Sequence, residues 1–296
     1  MKRSTILSTV ILVVLIIITY FVLQRPGEKS RSGADISYLV EYDSAAISRF
    51  EVTSNNGHVV LEKTAGKWMI TNPLTYPAAE FMATRAVATG RTIELKSVVS
   101  SNPEKQGLFH VDSTGMLVKF FEGSVEKAAF RVGKTTTSFA EMYVRIEGSD
   151  EVHIAVGTFT STFDRKATDW RDKAIFRSPR ENLTEVHFSY GDTAFSVSRS
   201  DTVWMVNNEM IGEPTSFIAA LSAFDTQGFI DTAIAQLPPL TAMMRIGDIS
   251  IRFHFNDPSD TYLVQTSDSQ QWFSVPIWRA KQVLLRERDF LAMKRK

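Results

Sequence analysis

The sequence predicts an α+β chain in which an N-terminal transmembrane helix precedes two tandem, duplicated, strand-rich α+β units. Three observations carry this. Residues 6–23 form an uncharged apolar run, residues 47–71 align without a gap on residues 183–207, and both aligned stretches alternate apolar and polar residues with period two. The organisation expected is a short tail (1–5), a signal anchor (6–23), a tether (24–43), a first unit (44–163), a connection (164–181) and a second unit (182–296).

At a rise of 1.5 Å per residue, the about 18 residues of the apolar run reach roughly 27 Å, just enough for a hydrocarbon core of about 30 Å. Backbone groups inside lipid need internal partners, so such a run is expected to be helical. The exit, Val22-Leu23-Gln24-Arg25-Pro26-Gly27, holds no small-x-small cleavage site, which favours an uncleaved anchor over a signal peptide. The orientation expected puts Lys2 and Arg3 inside, in the cytoplasm, and the body outside. Residues 24–35 are rich in Pro, Gly, Ser and charge and read as a tether.

Each aligned copy reads as three short strands, over 47–52, 59–62 and 67–70 and at their counterparts, with Trp68-Met69-Ile70 lying over Trp204-Met205-Val206. The matched Trp68 and Trp204 are expected to anchor the two cores, because indoles bury much area. A helix follows each Trp strand, opened by Pro77 or Pro214, a residue tolerated in a first helical turn. Four further strands complete each copy, over 116–121, 128–132, 142–146 and 152–156, then 242–246, 249–255, 262–265 and 272–275. Each copy is expected to close with a helical stretch ending near Asp169-Trp170 or Asp289-Phe290.

Composition narrows the chemistry. Lys+Arg and Asp+Glu are 33 each, so no basic excess points to nucleic acid. Cys is absent, which removes disulfides, thiolate metal sites and cysteine nucleophiles. The five His are all separated by more than five residues, so no His-x-x-x-His zinc pattern occurs. Gly133-Lys134-Thr135 has Ala128 where a phosphate loop needs Gly and leads into a strand rather than a helix. No Gly-x-Ser-x-Gly elbow is present. No catalytic residue, cofactor site or metal site is therefore expected, and the chain reads as non-enzymatic. The connection 164–173 carries Trp170, Arg171, Asp172 and Lys173, a candidate partner or hinge surface, since Trp and Arg are favoured interface anchors. Its competing reading is a solvated connection whose Trp docks on one unit. The basic stretch 279–296 is expected to pack a helix on the second unit and then trail off.

Several strings carry a resemblance: Lys67-Trp68-Met69-Ile70 followed by Asn72-Pro73, Gln106-Gly107-Leu108-Phe109, Arg131-Val132-Gly133, Tyr143-Val144-Arg145 and Asp169-Trp170-Arg171-Asp172-Lys173. In their order they are similar to the bacterial family known as domain of unknown function 4340, over residues 44 to 290. This chain has Gln106 where the family often has Tyr. The resemblance implies a single-pass envelope protein encoded beside ABC-transporter subunits and a gliding-motility-type auxiliary component, with no catalytic residues to carry over. The function expected is a membrane-tethered accessory subunit that contacts the bilayer through residues 6–23 and binds membrane-protein partners, ABC-transporter subunits among them. The alternative is a glycan or small-ligand module using the cleft between repeats and aromatics such as Trp170 or Trp278. A hydrolase with spatially assembled carboxylates comes last.

Overall fold

A computed structural model of the chain describes residues 36–191 and 193–293. The tail 1–5, the transmembrane helix expected over 6–23 and the tether up to residue 35 lie outside the described residues. Among the described residues, no helix is long and apolar enough to cross a membrane.

The first half runs β1 (Ser37–Tyr38), β2 (Arg49–Ser54), β3 (Gly57–Thr64), β4 (Lys67–Asn72), β5 (Tyr76–Pro77), α1 (Glu80–Arg91), β6 (Glu94–Ser100), β7 (Met116–Glu122), β8 (Val125–Thr135), β9 (Glu141–Ile146) and β10 (Val152–Val156). Two single-turn helices, α2 (Thr160–Phe163) and α3 (Ala167–Trp170), lead to β11 (Ala174–Arg177). The second half runs β12 (Glu185–Tyr190), β13 (Thr193–Ser200), β14 (Val203–Val206), β15 (Glu209–Ile211), α4 (Thr215–Ser222), β16 (Ala223–Asp225), β17 (Gly228–Ile230), β18 (Leu240–Ile246), β19 (Ile249–Asn256), β20 (Thr261–Thr266) and β21 (Trp272–Pro276). It closes with α5 (Ile277–Ala280) and α6 (Glu287–Leu291).

Hydrogen bonding gathers these strands into a ten-stranded and a nine-stranded sheet, with β11 and β16 forming a two-stranded ribbon. The first sheet is ordered β1-β6-β10-β9-β8-β7-β2-β3-β4-β5. Read from β17, the second is β17-β21-β20-β19-β18-β12-β13-β14-β15. Apart from β1, the second order repeats the first strand for strand, with β12–β15 in the places of β2–β5. All pairs are antiparallel, so one face of each sheet can be apolar and the other wet.

Alternation puts Phe50, Val52, Leu61, Trp68, Ile70, Val118, Phe120 and Phe130 on the inner face of the first sheet, all buried. Helix α1 covers that face through Ala83, Ala86 and Val87, and Gly90 lets it come close. A Cβ on Gly90 would lie 2.5 Å from the Phe120 ring and from the Tyr42 hydroxyl. In the second half Phe188, Val197, Val206, Phe217, Leu221 and Phe253 form the corresponding core. Trp68 and Trp204 are buried at equivalent places, each beneath a cross-strand cation, Lys63 at 5.0 Å and Arg199 at 5.7 Å from the ring centre. Each half is then sealed by an aromatic on a short C-terminal turn. Trp170 meets Phe50 at 5.5 Å, and Phe290 meets Phe188 at 5.7 Å and Phe217 at 5.1 Å. The two sealing turns share one device: Asp169 accepts from the Lys166 N–H at 3.2 Å and Asp289 accepts from the Arg286 N–H at 2.8 Å.

The expected class is corrected on this point: strand dominates the described residues, and the fold is mostly β rather than α+β. Helices are few and short, α1 being the longest among the described residues at 12 residues. The closing helical stretches lie where they are expected, ending at Trp170 and Leu291, but they are only four and five residues long and serve to place Trp170 and Phe290. The first principal helix starts late, at Glu80, because Pro77 pairs with Met69 in β5, whereas the second starts directly after Pro214. Meanwhile β1, β5, β6, β11, β15, β16 and β17, none of them expected, enlarge the sheets.

Candidate functional site

The strings that carry the family resemblance converge on two places in the fold. The first is the joint between the halves. Trp170 is fully buried in the first core, and Ile175 and Phe176 are buried in the second, so within six residues the chain passes from one core to the other. The connection hydrogen-bonds on both sides. The Ala79 N–H donates to the Trp170 carbonyl and the Asp172 N–H to the Pro77 carbonyl, each at 2.8 Å. On the other side the Thr226 N–H donates to the Lys173 carbonyl at 2.8 Å, and Phe176 pairs with Phe224.

Arg171 closes this joint. It is 3% exposed, and its guanidinium lies 4.8 Å from the Tyr76 ring centre and 4.5 Å from that of Phe229, the two rings themselves meeting edge-on at 5.4 Å. Tyr76 belongs to the first half and Phe229 to the second, so the cation is held between aromatic faces of both. Its terminal nitrogen donates to both carboxylate oxygens of Asp231, at 2.8 and 3.0 Å. Burial pushes the Tyr76 hydroxyl above its ordinary range, against the opposing pull of the Arg171 charge. The Arg171 Nε and the Trp170 Nε1 are buried without a protein partner. Asp172 turns the chain by accepting from the Ala174 N–H at 3.1 Å and pairs with Arg177 at 3.3 Å, while Lys173 is exposed. Of the four residues singled out in the sequence, Trp170 and Arg171 are out of reach of a partner, and Asp172 and Lys173 form the outward side.

The second place is a loop pinned to the outer face of the first sheet. Residues 103–109 make a 3₁₀ stretch capped by Asn102, whose side chain accepts from the Glu104 N–H at 2.9 Å. Phe109 packs on Tyr143 at 4.8 Å, and the buried Arg145 donates to the Val111 carbonyl at 2.8 Å and the Ser149 carbonyl at 2.9 Å. Arg131 donates to the Gly115 carbonyl at 3.2 Å and pairs with Glu147 at 2.7 Å. Gly133 is required here, because a Cβ on it would stand 2.1 Å from the Phe109 carbonyl oxygen. The three quoted strings at 106–109, 131–133 and 143–145 thus serve one contact, which sequence spacing could not reveal.

Beside this loop lies a polar hollow of about 520 Å³, lined by Thr53, Ser54, Asn55, His110, Ser113, Thr114 and Gly115, and it continues toward Lys134, Thr160 and Asp164. Asp164 Oδ1 accepts from the Ser54 hydroxyl at 2.6 Å and from Asn56 Nδ2 at 2.9 Å. Hydrogen bonds from the Thr114 side chain and backbone hold the exposed Asp112 carboxyl below its usual range. No Trp, Tyr or Phe lines the hollow, so it lacks a platform on which a sugar ring could stack. The carboxylates there are engaged in turns and caps, and no group of three or more His, Asp or Glu able to hold a metal ion occurs among the described residues. Trp278 is 58% exposed on α5.

Compared with known proteins, residues 68–241 match the family model described as domain of unknown function (DUF4340), which is more than half of the chain. Neither a curated protein nor a solved structure matches it.

Proposed function

The chain belongs to the DUF4340 family, and from that premise we propose that it is a membrane-tethered extracytoplasmic binding subunit, a non-enzymatic contact partner of an ABC-type transport assembly. The apolar run at residues 6–23 supports tethering at the inner membrane, with the amino terminus inside and both sheets outside. The observation that carries the reading is the joint. Each core takes residues from the connection, and Arg171 grips aromatic rings of both halves, so the two sheets present their outer faces as one body. Such a body loses little conformational freedom on binding a partner, which favours a scaffold for contact.

The test is affinity purification of the full chain from native membranes after mild crosslinking, with identification of what accompanies it. Stoichiometric recovery of ABC-transporter subunits is the expected result; recovery of the chain alone across detergents overturns the reading. Exposed Trp278 favours a second reading, an envelope glycan or small-ligand module. That reading requires Trp278→Ala to abolish retention on immobilised envelope glycan.

A further inference from the structure

One end of the first sheet carries apolar side chains that nothing in the fold covers. Ile36 is 56% exposed, Tyr38 44%, Phe139 78% and Val156 45%. Strand pairing brings them together. Tyr38 stands opposite Glu94, Glu94 opposite Val156, and Val156 opposite Glu141, a single cross-strand row running β1-β6-β10-β9. At about 4.8 Å per strand, Tyr38 and Val156 are roughly 10 Å apart. Ile36 lies two residues from Tyr38, immediately before β1. Phe139 tips the turn between β8 and β9, which the Gly157 N–H ties to this row through the Ala140 carbonyl at 2.8 Å.

Phe139 is held out rather than left out. Its φ is 58°, the left-handed region that bulky residues avoid. The turn is fixed by the Phe139 N–H donating to the Thr136 carbonyl, by the Thr136 N–H donating to the Glu141 carbonyl, and by a Thr136–Ser138 hydroxyl contact at 2.9 Å. A backbone held in a disfavoured region to display an aromatic ring to solvent points to something that ring enters.

The chain itself indicates what that is. It enters the fold at Ile36, beside this row, and only the twelve residues 24–35 separate it from the end of the apolar run at residue 23, a reach of at most roughly 45 Å. Exposed Lys134, at the end of β8, flanks the turn with a cation. Around the four apolar side chains Lys96 and Lys134 stand against Glu94 and Glu141, with Lys96 and Glu141 paired at 2.7 Å, so this end adds no net charge to an aromatic and aliphatic rim of the kind that settles at the headgroup–acyl boundary. We infer that the sheet end bearing Ile36, Tyr38, Phe139 and Val156 rests in the lipid interface of the bilayer that holds the chain. This rests on the membrane-tethered reading above and adds the orientation of the body on the membrane.

The absence of Cys makes every introduced thiol unique. The full chain, reconstituted in vesicles of phosphatidylethanolamine and phosphatidylglycerol, would carry one nitroxide at a time on Phe139→Cys, Val156→Cys, Ser124→Cys, Asp150→Cys or Val14→Cys. Ser124 and Asp150 sit on turns at the far end of the same strands, Ser124 about 35 Å away along β8 and Asp150 about 20 Å from Val156 along β10, at 3.3 Å per residue. Expected is a several-fold higher ratio of oxygen to nickel-chelate accessibility at 139 and 156 than at 124 and 150, with 14 also lipid-like. Water-like values at 139 and 156 alongside a lipid-like 14 overturn the docking and leave the tether standing. A water-like 14 overturns the tether, and the docking with it.

Discussion

Removing the guanidinium of Arg171 tests whether the two sheets are coupled as their geometry requires. Its two ring contacts, at 4.8 and 4.5 Å, each contribute about 0.5–1 kcal/mol, the lower range for such contacts, because both rings are only half-buried. The hydrogen bonds to Asp231 add about 1.5 kcal/mol, the low end for charged partners, because the Asp231 side chain is 45% exposed. Arg171→Ala should therefore cost about 3 kcal/mol, with no further penalty from Asp231, which can hydrate once released. Asp231→Ala alone should cost at least as much as Arg171→Ala, since it leaves a cation only 3% exposed without its carboxylate, and the double-mutant cycle should give a coupling of at least about 1.5 kcal/mol. Arg171→Lys keeps the charge but loses the flat face between Tyr76 and Phe229, so it should recover less than half of the loss. The assay is urea unfolding of the full chain in detergent, followed by tryptophan fluorescence. In the wild type one transition is expected; in Arg171→Ala the halves should separate into two, visible as a lower apparent slope. A cost under about 0.5 kcal/mol, or additivity within about 0.3 kcal/mol, would refute the clamp.

Three further outcomes follow from the packing. Trp170→Ala and Phe290→Ala each empty the sealing position of one core and should cost about 3–5 kcal/mol, each lowering the unfolding midpoint of its own half first; equal effects on both halves would contradict their equivalence. Gly133→Ala forces its methyl against the Phe109 carbonyl and should cost about 1–3 kcal/mol, with increased amide exchange in residues 103–115 as the readout. Burial holds the hydroxyls of Tyr42 and Tyr190 protonated, raising both above the ordinary value near 10. The stability they contribute is complete below about pH 10 and is lost as pH rises through the raised folded values, so unfolding midpoints should fall on the alkaline side. Tyr42→Phe removes a 2.7 Å bond to the Val87 carbonyl, should cost about 1 kcal/mol at neutral pH, and should flatten that fall; an unchanged alkaline limb would count against it.

The inner strands were legible because their alternation is strong: Phe50-Val52, Leu61, Trp68-Ile70 and their counterparts each place every second residue in a core. Edge elements were not. Glu94-Leu95-Lys96-Ser97-Val98-Val99-Ser100 has no apolar period, since β6 lies near the sheet edge with little to bury, and β5 and β17 span only two and three residues. The basic C-terminal stretch, with Val283, Leu284 and Phe290 at helix-like spacing, was read as a helix. It packs on the second unit as expected, but as two short helices rather than one, because its apolar residues are needed at separate points of the second core. For the joint, Trp170 and Arg171 stand out in composition, yet their partners Tyr76, Phe229 and Asp231 are 58 to 95 residues away and no local pattern links them. The pinned loop was hidden in the same way, since Gly133 looks like the end of a phosphate loop until Phe109 is seen lying over it.

The most direct trial of a tethered scaffold is protease treatment of intact spheroplasts, followed by alkaline carbonate extraction of the membranes. The full-length chain should pellet with the membranes, and external protease should remove both sheets and leave a short membrane-bound amino-terminal fragment. A full-length or shortened chain released into the carbonate supernatant, or a body protected until the membrane is breached, would contradict the tethered scaffold.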